Sequence, residues 1–557
     1  MNEAVCRIPI LSVLMIAALL LIAVAWLRSA EYDEQYTLFL TGGVARPIWG
    51  SDAITAREVQ ALQHGRAGSS AIARDLRATD VHPPLYFWTI AEWRRLMGNS
   101  LFVARLASVL FSLVTLGLIA IIARSVGIPP VAAILLTVGC YGFAYTGATA
   151  RAFAMAQMLS VAGVAVLITA RSRSWLSFAA GVLLGAATFT NYLAAFVACA
   201  ALLYAVIARS EATRKVLHLD GDCRVTALLT RNHEQTVPRA IRKGRRGWPA
   251  FAGHDECRFH PARLRHQAGV ELAMTMGFAL WLPADLWFFL VQRQTRVGQF
   301  APFEAMPTLA RLAQYSAANL FGGLPLYLHG VVRTAITVAL AVLSVGLVAL
   351  IILRWHRIVT PETRWLLVMT AAAPPIGLLL LGVVFDNSPI ELRYLAFATP
   401  FVGLLLAAAL PRYARYAVLA IQAIALVGLI TRPETMQPAR ATAVAAASLV
   451  HDGVVLLPHG NDGVGIVGAF AVESPPTLRL LVIGREETPA EIRARASRYP
   501  RAVLALLGQD AASRATLPIM RQAFAGPCWR AAGAAFNVLA FDRACGEGCA
   551  CPAGPSP

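Results

Sequence analysis

Hydrophobic positions along this chain collect in repeated blocks of roughly 16 to 23 residues, about the span of a hydrocarbon core, separated by short polar turns. Eleven such blocks read as transmembrane helices: Pro9–Leu27, Leu101–Ala123, Pro129–Gly147, Ala152–Ala170, Trp175–Thr190, Tyr192–Ile207, Gly269–Leu290, Val331–Leu353, Trp365–Phe385, Leu395–Leu410 and Tyr416–Ile430. The first block follows Arg7, and no small-residue cleavage site precedes the polar stretch at Ser29, so it reads as a retained span. The pair around Asn191 is short and closely spaced, which suits two broken or re-entrant helices as well as two full spans. The expected fold class is a polytopic α-helical membrane protein.

After about residue 433 the pattern changes. Short β-type runs (Gly453–Leu457, Leu478–Ile483, Ala502–Leu507, Phe536–Phe541) alternate with helix-like stretches near 439–450, 489–497 and 511–524. Alternation of this kind predicts a small α/β domain, 433–557, attached to a membrane domain, 1–432. Its Pro458–Gly465 stretch, rich in Gly and lying between a β-type run and a helix-like one, is either an ordinary tight turn or a backbone cradle for a phosphate or sugar; its Gly spacing does not match the dinucleotide fingerprint. The closing proline-rich residues are expected to be disordered.

Composition agrees with a membrane protein: the 557 residues are 57% hydrophobic and 14% charged, with a mean hydropathy of +0.59. A cytosolic enzyme, a secreted disulfide scaffold and a fibrous protein are excluded. The net charge of +18 reflects positive-inside loops here, with no nucleic-acid partner implied. Arg124, Arg171 and Arg173, then Arg354, Arg357 and Arg364, then Arg412 and Arg415 sit in the short turns of one side. With the N-terminus cytoplasmic, that side is the cytoplasm. The stretch 210–267, with twelve Lys plus Arg against six Asp plus Glu, falls on the same side. The loops 28–100 and 292–330 and the tail are then expected outside, where Cys528, Cys545, Cys549 and Cys551 meet a disulfide-permissive compartment.

The stretch 210–267 holds His218, His233, His254, His260 and His266 with Cys223 and Cys257. A metal site around His254, Cys257 and His260 is one reading; a solvated basic loop against anionic headgroups is another. A local reading-frame artefact is a third, because the stretch lacks the apolar periodicity of its surroundings.

Chemistry is best sought just beyond the ends of spans, where a lipid-borne and a water-borne substrate can meet. Soon after the first span comes Glu31-Tyr32-Asp33-Glu34, three carboxylates in four positions. They are either a solvated juxtamembrane segment or the source of a general base that takes a proton from an attacking hydroxyl. In His82-Pro83-Pro84-Leu85-Tyr86 the double proline fixes the backbone and launches a helix, so His82 is held at a defined place ahead of an aromatic, amphipathic segment. A phosphate contact and a plain turn residue are both open for it. Arg151 and Arg393 flank spans on the same expected face, and each is either a snorkelling interfacial Arg or a phosphate ligand. Arg105 lies deeper in its span and reads as a packing residue.

These motifs together resemble the GT-C superfamily of membrane glycosyltransferases, nearest the protein O-mannosyltransferase and lipid A aminoarabinose transferase group. The resemblance is carried by the Asp33-Glu34 pair after the first span, His82-Pro-Pro-Leu-Tyr, Phe102-Val-Ala-Arg105-Leu-Ala-Ser108, Ala150-Arg151-Ala-Phe153-Ala and Leu392-Arg393-Tyr394-Leu395, and it covers roughly residues 8 to 430. It implies an inverting transfer of a sugar from a polyprenyl-phosphate carrier to an envelope acceptor at the outer face of the plasma (bacterial inner) membrane. The family's external acidic residue falls on Asp33, with Glu34 beside it; the position before Pro-Pro-Leu-Tyr falls on His82; Arg151 and Arg393 are the phosphate-binding candidates. Only one carboxylate can occupy the base position, so Glu34→Gln is expected to be milder than Asp33→Asn. The chain departs from many relatives in having no acidic residue between Gly147 and Phe153. That leaves a second acidic group, and any metal bridge it would support, without a basis. The cofactor stays open: the resemblance allows a divalent metal, which the sequence does not itself indicate. The competing classes are a transporter or flippase of a lipid-linked substrate, for which charges at the bilayer midplane are expected, and a non-catalytic envelope assembly protein. Incorporation of label from a polyprenyl-phosphate sugar into an envelope acceptor separates the first class from both.

Overall fold

The computed structural model describes residues 9–79, 82–169, 173–207, 271–292, 302–322, 330–355, 360–431, 438–508 and 510–544. The basic stretch 210–267, Cys545, Cys549, Cys551 and the closing proline-rich residues lie outside them. The protein is a polytopic helical membrane protein carrying a small sheet region near its C-terminal end. Helix α1 (Ile10–Leu27) leads into a long loop with four short helices, α2 (Tyr32–Gly42), α3 (Ala56–Gln63), α4 (Ser69–Thr79) and α5 (Leu85–Met97), before α6 (Leu101–Ser125) re-enters the bundle. Among the described residues, six helices are long and apolar enough to cross a membrane, or up to eight if two bent pairs each count as one span. Shorter apolar helices at Phe153–Thr169, Ser174–Thr188 and Tyr192–Ile207 occupy three further blocks of the sequence pattern.

The stretch 129–147, continuous in its hydrophobicity, is a bent pair. Helices α7 (Pro130–Gly139) and α8 (Tyr141–Gly147) meet at 74° across Cys140. A break at this depth needs partners for the freed backbone groups. Gln422, buried on the helix Arg412–Thr431, supplies one: its amide donates to the Leu136 carbonyl (3.4 Å) and the Leu320 carbonyl (3.0 Å). The block 269–290 likewise bends by 42°, between Glu271–Ala279 and Leu282–Val291. The segment 292–330, expected as a plain loop, contains the helix Ala305–Phe321, which packs on the bundle through Ala317, Ala318 and Phe321.

The tail forms a six-stranded sheet in the order β1-β3-β2-β4-β6-β5, with β1 Ile54–Thr55, β2 Val454–Pro458, β3 Arg479–Ile483, β4 Arg501–Ala505, β5 Trp529–Ala535 and β6 Val538–Arg543. Strands β2, β3 and β4 are mutually parallel, and their residues are apolar almost throughout because helices cover both faces. β6 runs antiparallel to β4, and β5 to β6. β1 comes from the first loop and pairs antiparallel with β3, Ile54 opposite Leu480. Thr55 then caps α3 reciprocally with Glu58: the Glu58 amide donates to the Thr55 hydroxyl (3.3 Å) and the Thr55 amide to Glu58 Oε2 (2.6 Å).

Contacts of the tail thus cross the expected division at residue 433. Phe39, Ala56 and Val59 of the first loop share one apolar core with Ala443, Val455, Leu457, Phe470 and Leu480 of the tail. Gln60 donates to the Ala471 carbonyl (2.7 Å) and Trp49 to the Gly463 carbonyl (2.7 Å). The loop and the tail share one apolar core and one sheet. Phe39, fully buried, measures the coupling: Phe39→Ala is expected to cost about 3–5 kcal/mol. Truncation before Ala439 is expected to abolish accumulation of folded protein, read by fluorescence-detected gel filtration of a fusion.

Candidate functional site

The site is built on the first turn of α2. Glu31 precedes the helix in an extended conformation (φ −102°, ψ 152°), so the chain turns sharply out of α1 before Tyr32. Successive helical side chains diverge by about 100°, and the acidic cluster separates accordingly. Glu34 points into the bundle and Asp33 toward the 386–394 segment.

Glu34 is completely buried and its acceptor capacity is used up. Oε1 accepts from Arg105 Nε (2.8 Å) and the Ala150 amide (2.8 Å); Oε2 accepts from Arg105 Nη2 (2.5 Å) and the Glu31 amide (3.0 Å). The rest of the Arg105 guanidinium donates to the carbonyls of Ala25 (2.9 Å), Arg28 (2.9 Å) and Ser29 (2.8 Å). All five Arg105 N–H groups are thus engaged. The pair locks the end of α1, the start of α2 and the Ala150 loop into one arrangement. Glu34, expected beside Asp33 in the chemistry, thus has both oxygens engaged by Arg105 and by the Ala150 and Glu31 amides. The pair gives Arg105 a role, since a charge buried at the start of a span demands a partner, and Glu34, 71 positions away in sequence, supplies it.

Glu31 is the second fixed carboxylate. It pairs with buried Arg28 and accepts from the Tyr145 hydroxyl (2.9 Å), while the Arg28 guanidinium lies 4.1 Å above the Tyr145 ring. Nothing in sequence spacing pointed to this group, because Arg28 and Tyr145 are 117 positions apart.

Asp33 is placed differently. Its carboxylate is 24% exposed and pairs with Arg393, itself 24% exposed. Arg393 also pairs through Nε with Glu391 (2.6 Å) and lies 5.4 Å from the Tyr394 ring centroid. The Asp33 carbonyl accepts from Arg151 Nη1 (3.2 Å), and Arg151 Nη2 lies 3.5 Å from His82 Nε2. Arg151 stands on the short loop between α8 and α9 (Phe153–Thr169), which is held by the Glu34 contact to Ala150 and by Thr37 and Ser108, whose hydroxyls donate to the carbonyls of Ala150 (2.8 Å) and Thr149 (2.7 Å). His82, half-buried, sits ahead of Pro83 and Pro84, where α5 starts at Leu85. Asp33, His82, Arg151 and Arg393 come from four separate stretches and meet in one partly open place at the ends of the helices. The arrangement offers two partly exposed carboxylates, Asp33 and Glu391, beside two guanidiniums and an imidazole, a set fit to hold an anion and accept a proton.

Among the described residues, no three His, Cys, Asp or Glu side chains converge as a metal-binding group. The proposed ligands His254, Cys257 and His260 lie outside those residues. The Gly-rich turn of the tail is closed: Asp462 Oδ1 takes the amides of Val464 (2.8 Å) and Gly465 (3.2 Å), Asp510 takes the Asn461 amide (2.8 Å), and the Tyr32 ring packs where a Gly465 side chain would stand. It is a docking turn, with those amides already spent.

Residues 81–229 match the model of a family described as dolichyl-phosphate-mannose-protein mannosyltransferase. No curated protein matches. Similar solved structures include ArnT from Cupriavidus metallidurans, bound to undecaprenyl phosphate and in the apo state, each 12% identical with a TM-score of 0.44 over 95% of this chain and 97% of that one. Another is the Archaeoglobus fulgidus oligosaccharyltransferase tethered with an acceptor peptide, 12% identical, with a TM-score of 0.39 over 84% of this chain and 64% of that one. The matched segment contains His82, Arg105 and Arg151, and the similarity to that family is confined to this part of the chain.

Proposed function

We propose that this protein transfers a sugar, with inversion, from a polyprenyl-phosphate carrier to an envelope acceptor at the outer face of the plasma membrane. One observation carries the reading: the accessible carboxylate of the acidic cluster, Asp33, stands with Arg393, Arg151 and His82, which are the cationic and imidazole groups a departing phosphate needs. The acceptor hydroxyl attacks the anomeric carbon as the bond from that carbon to the phosphate oxygen breaks, and Asp33 takes the hydroxyl proton. Charge accumulates on the leaving phosphate, where Arg393 and Arg151 stabilise it. Arg393 pairs with Asp33. An incoming donor phosphate competes for that guanidinium and frees the carboxylate to act as base.

The sidedness rests on charge. The site and the tail lie at the ends of the bundle opposite Arg124, Arg173, Arg354 and Arg412, so the positive-inside rule puts them outside. Cys528 is disulfide-bonded, which suits an oxidising compartment. The tail, packed over the first loop, shapes the acceptor's approach. Protease added outside spheroplasts is expected to cut the tail, and full protection would reverse the topology.

Transfer of label from a polyprenyl-phosphate sugar into envelope material, by membranes containing the protein, tests the activity. Arg393→Lys is expected to weaken it, because the ammonium loses the two-point grip on phosphate. Donor affinity in Arg393→Ala is expected to fall. Equal affinity there would remove Arg393 from the phosphate site.

A further inference from the structure

The tail reaches the residue next to Asp33. Tyr32, the first residue of α2, donates its hydroxyl to Asp462 Oδ2 at 2.6 Å, across 430 positions of sequence. Asp462 is held in turn: its other oxygen takes the amides of Val464 and Gly465, and Gly463, the residue between, adopts φ +71° and has its carbonyl bound by Trp49. The Tyr32 ring fills the space above Gly465, where an added Cβ would fall 2.3 Å from it. Burial pushes the Asp462 carboxyl above the usual carboxylate range, and burial beside Asp462 pushes the Tyr32 phenol up, so the phenol stays a donor.

A second tail contact grips the same segment from the α1 side. Arg440 donates to the carbonyls of Leu27 (2.8 Å) and Arg28 (3.1 Å) and pairs with Glu473 (2.7 Å), whose Oε1 accepts from the Ala30 amide (2.6 Å). The bundle fixes residues 31 and 34 through Arg28 and Arg105, whereas Asp33 faces the open site, its carboxylate paired with Arg393 and its carbonyl bound by Arg151. We propose that the Tyr32–Asp462 contact is a positioning latch: the tail sets the rotation of the first turn of α2 and thereby the place of the Asp33 carboxylate. Asp462 is then a positioning residue for transfer, although it lies more than four hundred positions from the base and touches no substrate. The inference rests on the reading of Asp33 as base.

The test uses the full chain, reconstituted with a polyprenyl-phosphate sugar donor. Tyr32→Phe removes one hydroxyl and leaves the ring over Gly465, so folding is kept; Asp462→Ala removes the other partner. A base misplaced by about 1 Å costs on the order of a hundredfold, so both variants are expected to lose roughly ten- to a hundredfold in kcat with donor KM near wild type. The double variant is expected to fall no further than the worse single one. Asp462→Asn keeps an oxygen for the Val464 and Gly465 amides and sets an NH2 against the Tyr32 oxygen, so it is expected to recover most of the loss. Hydrogen exchange at the amides of residues 32–36 is expected to quicken in Tyr32→Phe. Wild-type kcat in Tyr32→Phe, or additive losses in the double variant, would overturn the latch. The two readings fail separately. Full turnover in Asp33→Asn removes the base while exchange still reports the latch, and a dead Asp33→Asn beside a fully active Tyr32→Phe removes the latch and keeps the base.

Discussion

Asp33→Asn is expected to abolish sugar transfer while the protein inserts, folds and accumulates as the wild type does. A positioned general base contributes about a hundred- to ten-thousandfold to rate, and loss on that scale is the expected result in a labelled-donor assay. Folding is spared because the Asp33 side chain is partly exposed and its carbonyl, which holds Arg151, is untouched. The amide also leaves an oxygen facing Arg393. What is lost is the proton acceptor. Wild-type turnover in this variant would take Asp33 out of the mechanism, and the chemistry would then need a base from elsewhere in the site.

Glu34→Gln is expected to behave in the opposite way, with its damage in folding. Removing one member of a buried ion pair costs about 3–5 kcal/mol because the remaining charge is left without a partner. Here the amide would turn an NH2 toward donors, either the Arg105 guanidinium or the backbone amides of Glu31 and Ala150. The expected outcome is a sharp fall in folded yield and a lowered unfolding temperature in detergent, with Arg105→Ala producing the same phenotype. The ranking drawn from sequence, with Glu34→Gln the milder change, concerns transfer; the loss expected here is in folding. A Glu34→Gln protein with normal yield and melting but no turnover would return Glu34 to the chemistry.

Membrane class and the rough positions of the helices were legible in the chain itself, because a hydrocarbon solvent imposes one readable demand on every spanning segment. The parallel core of the tail was legible for a related reason: buried parallel strands are apolar runs, and β2, β3 and β4 fall within a residue or two of them. β5 was not legible, since Arg530 to Ala535 lie exposed on an edge strand and carry no alternation. The bend at Cys140 was hidden because hydropathy does not register a break whose backbone groups are met by a distant Gln422.

The candidate site divides along the same line. The resemblance of its motifs to the GT-C superfamily marked Asp33, His82, Arg151 and Arg393 as a group; residue type and placement alone left each of them open. The resemblance pointed to Asp33 with Glu34 beside it; that Asp33 is partly exposed and Glu34 buried is a matter of tertiary structure. Local sequence makes Asp33 and Glu34 nearly equivalent. One hundred degrees of helix rotation sends Glu34 onto Arg105, which consumes it, and leaves Asp33 facing the open site. The merging of the first loop with the tail was equally out of reach, because Tyr32 meeting Asp462 and Ile54 meeting Leu480 are contacts across more than four hundred residues that no local pattern encodes. Periodicity reports the solvent each segment faces; which partners fill that environment is settled only when distant segments pack.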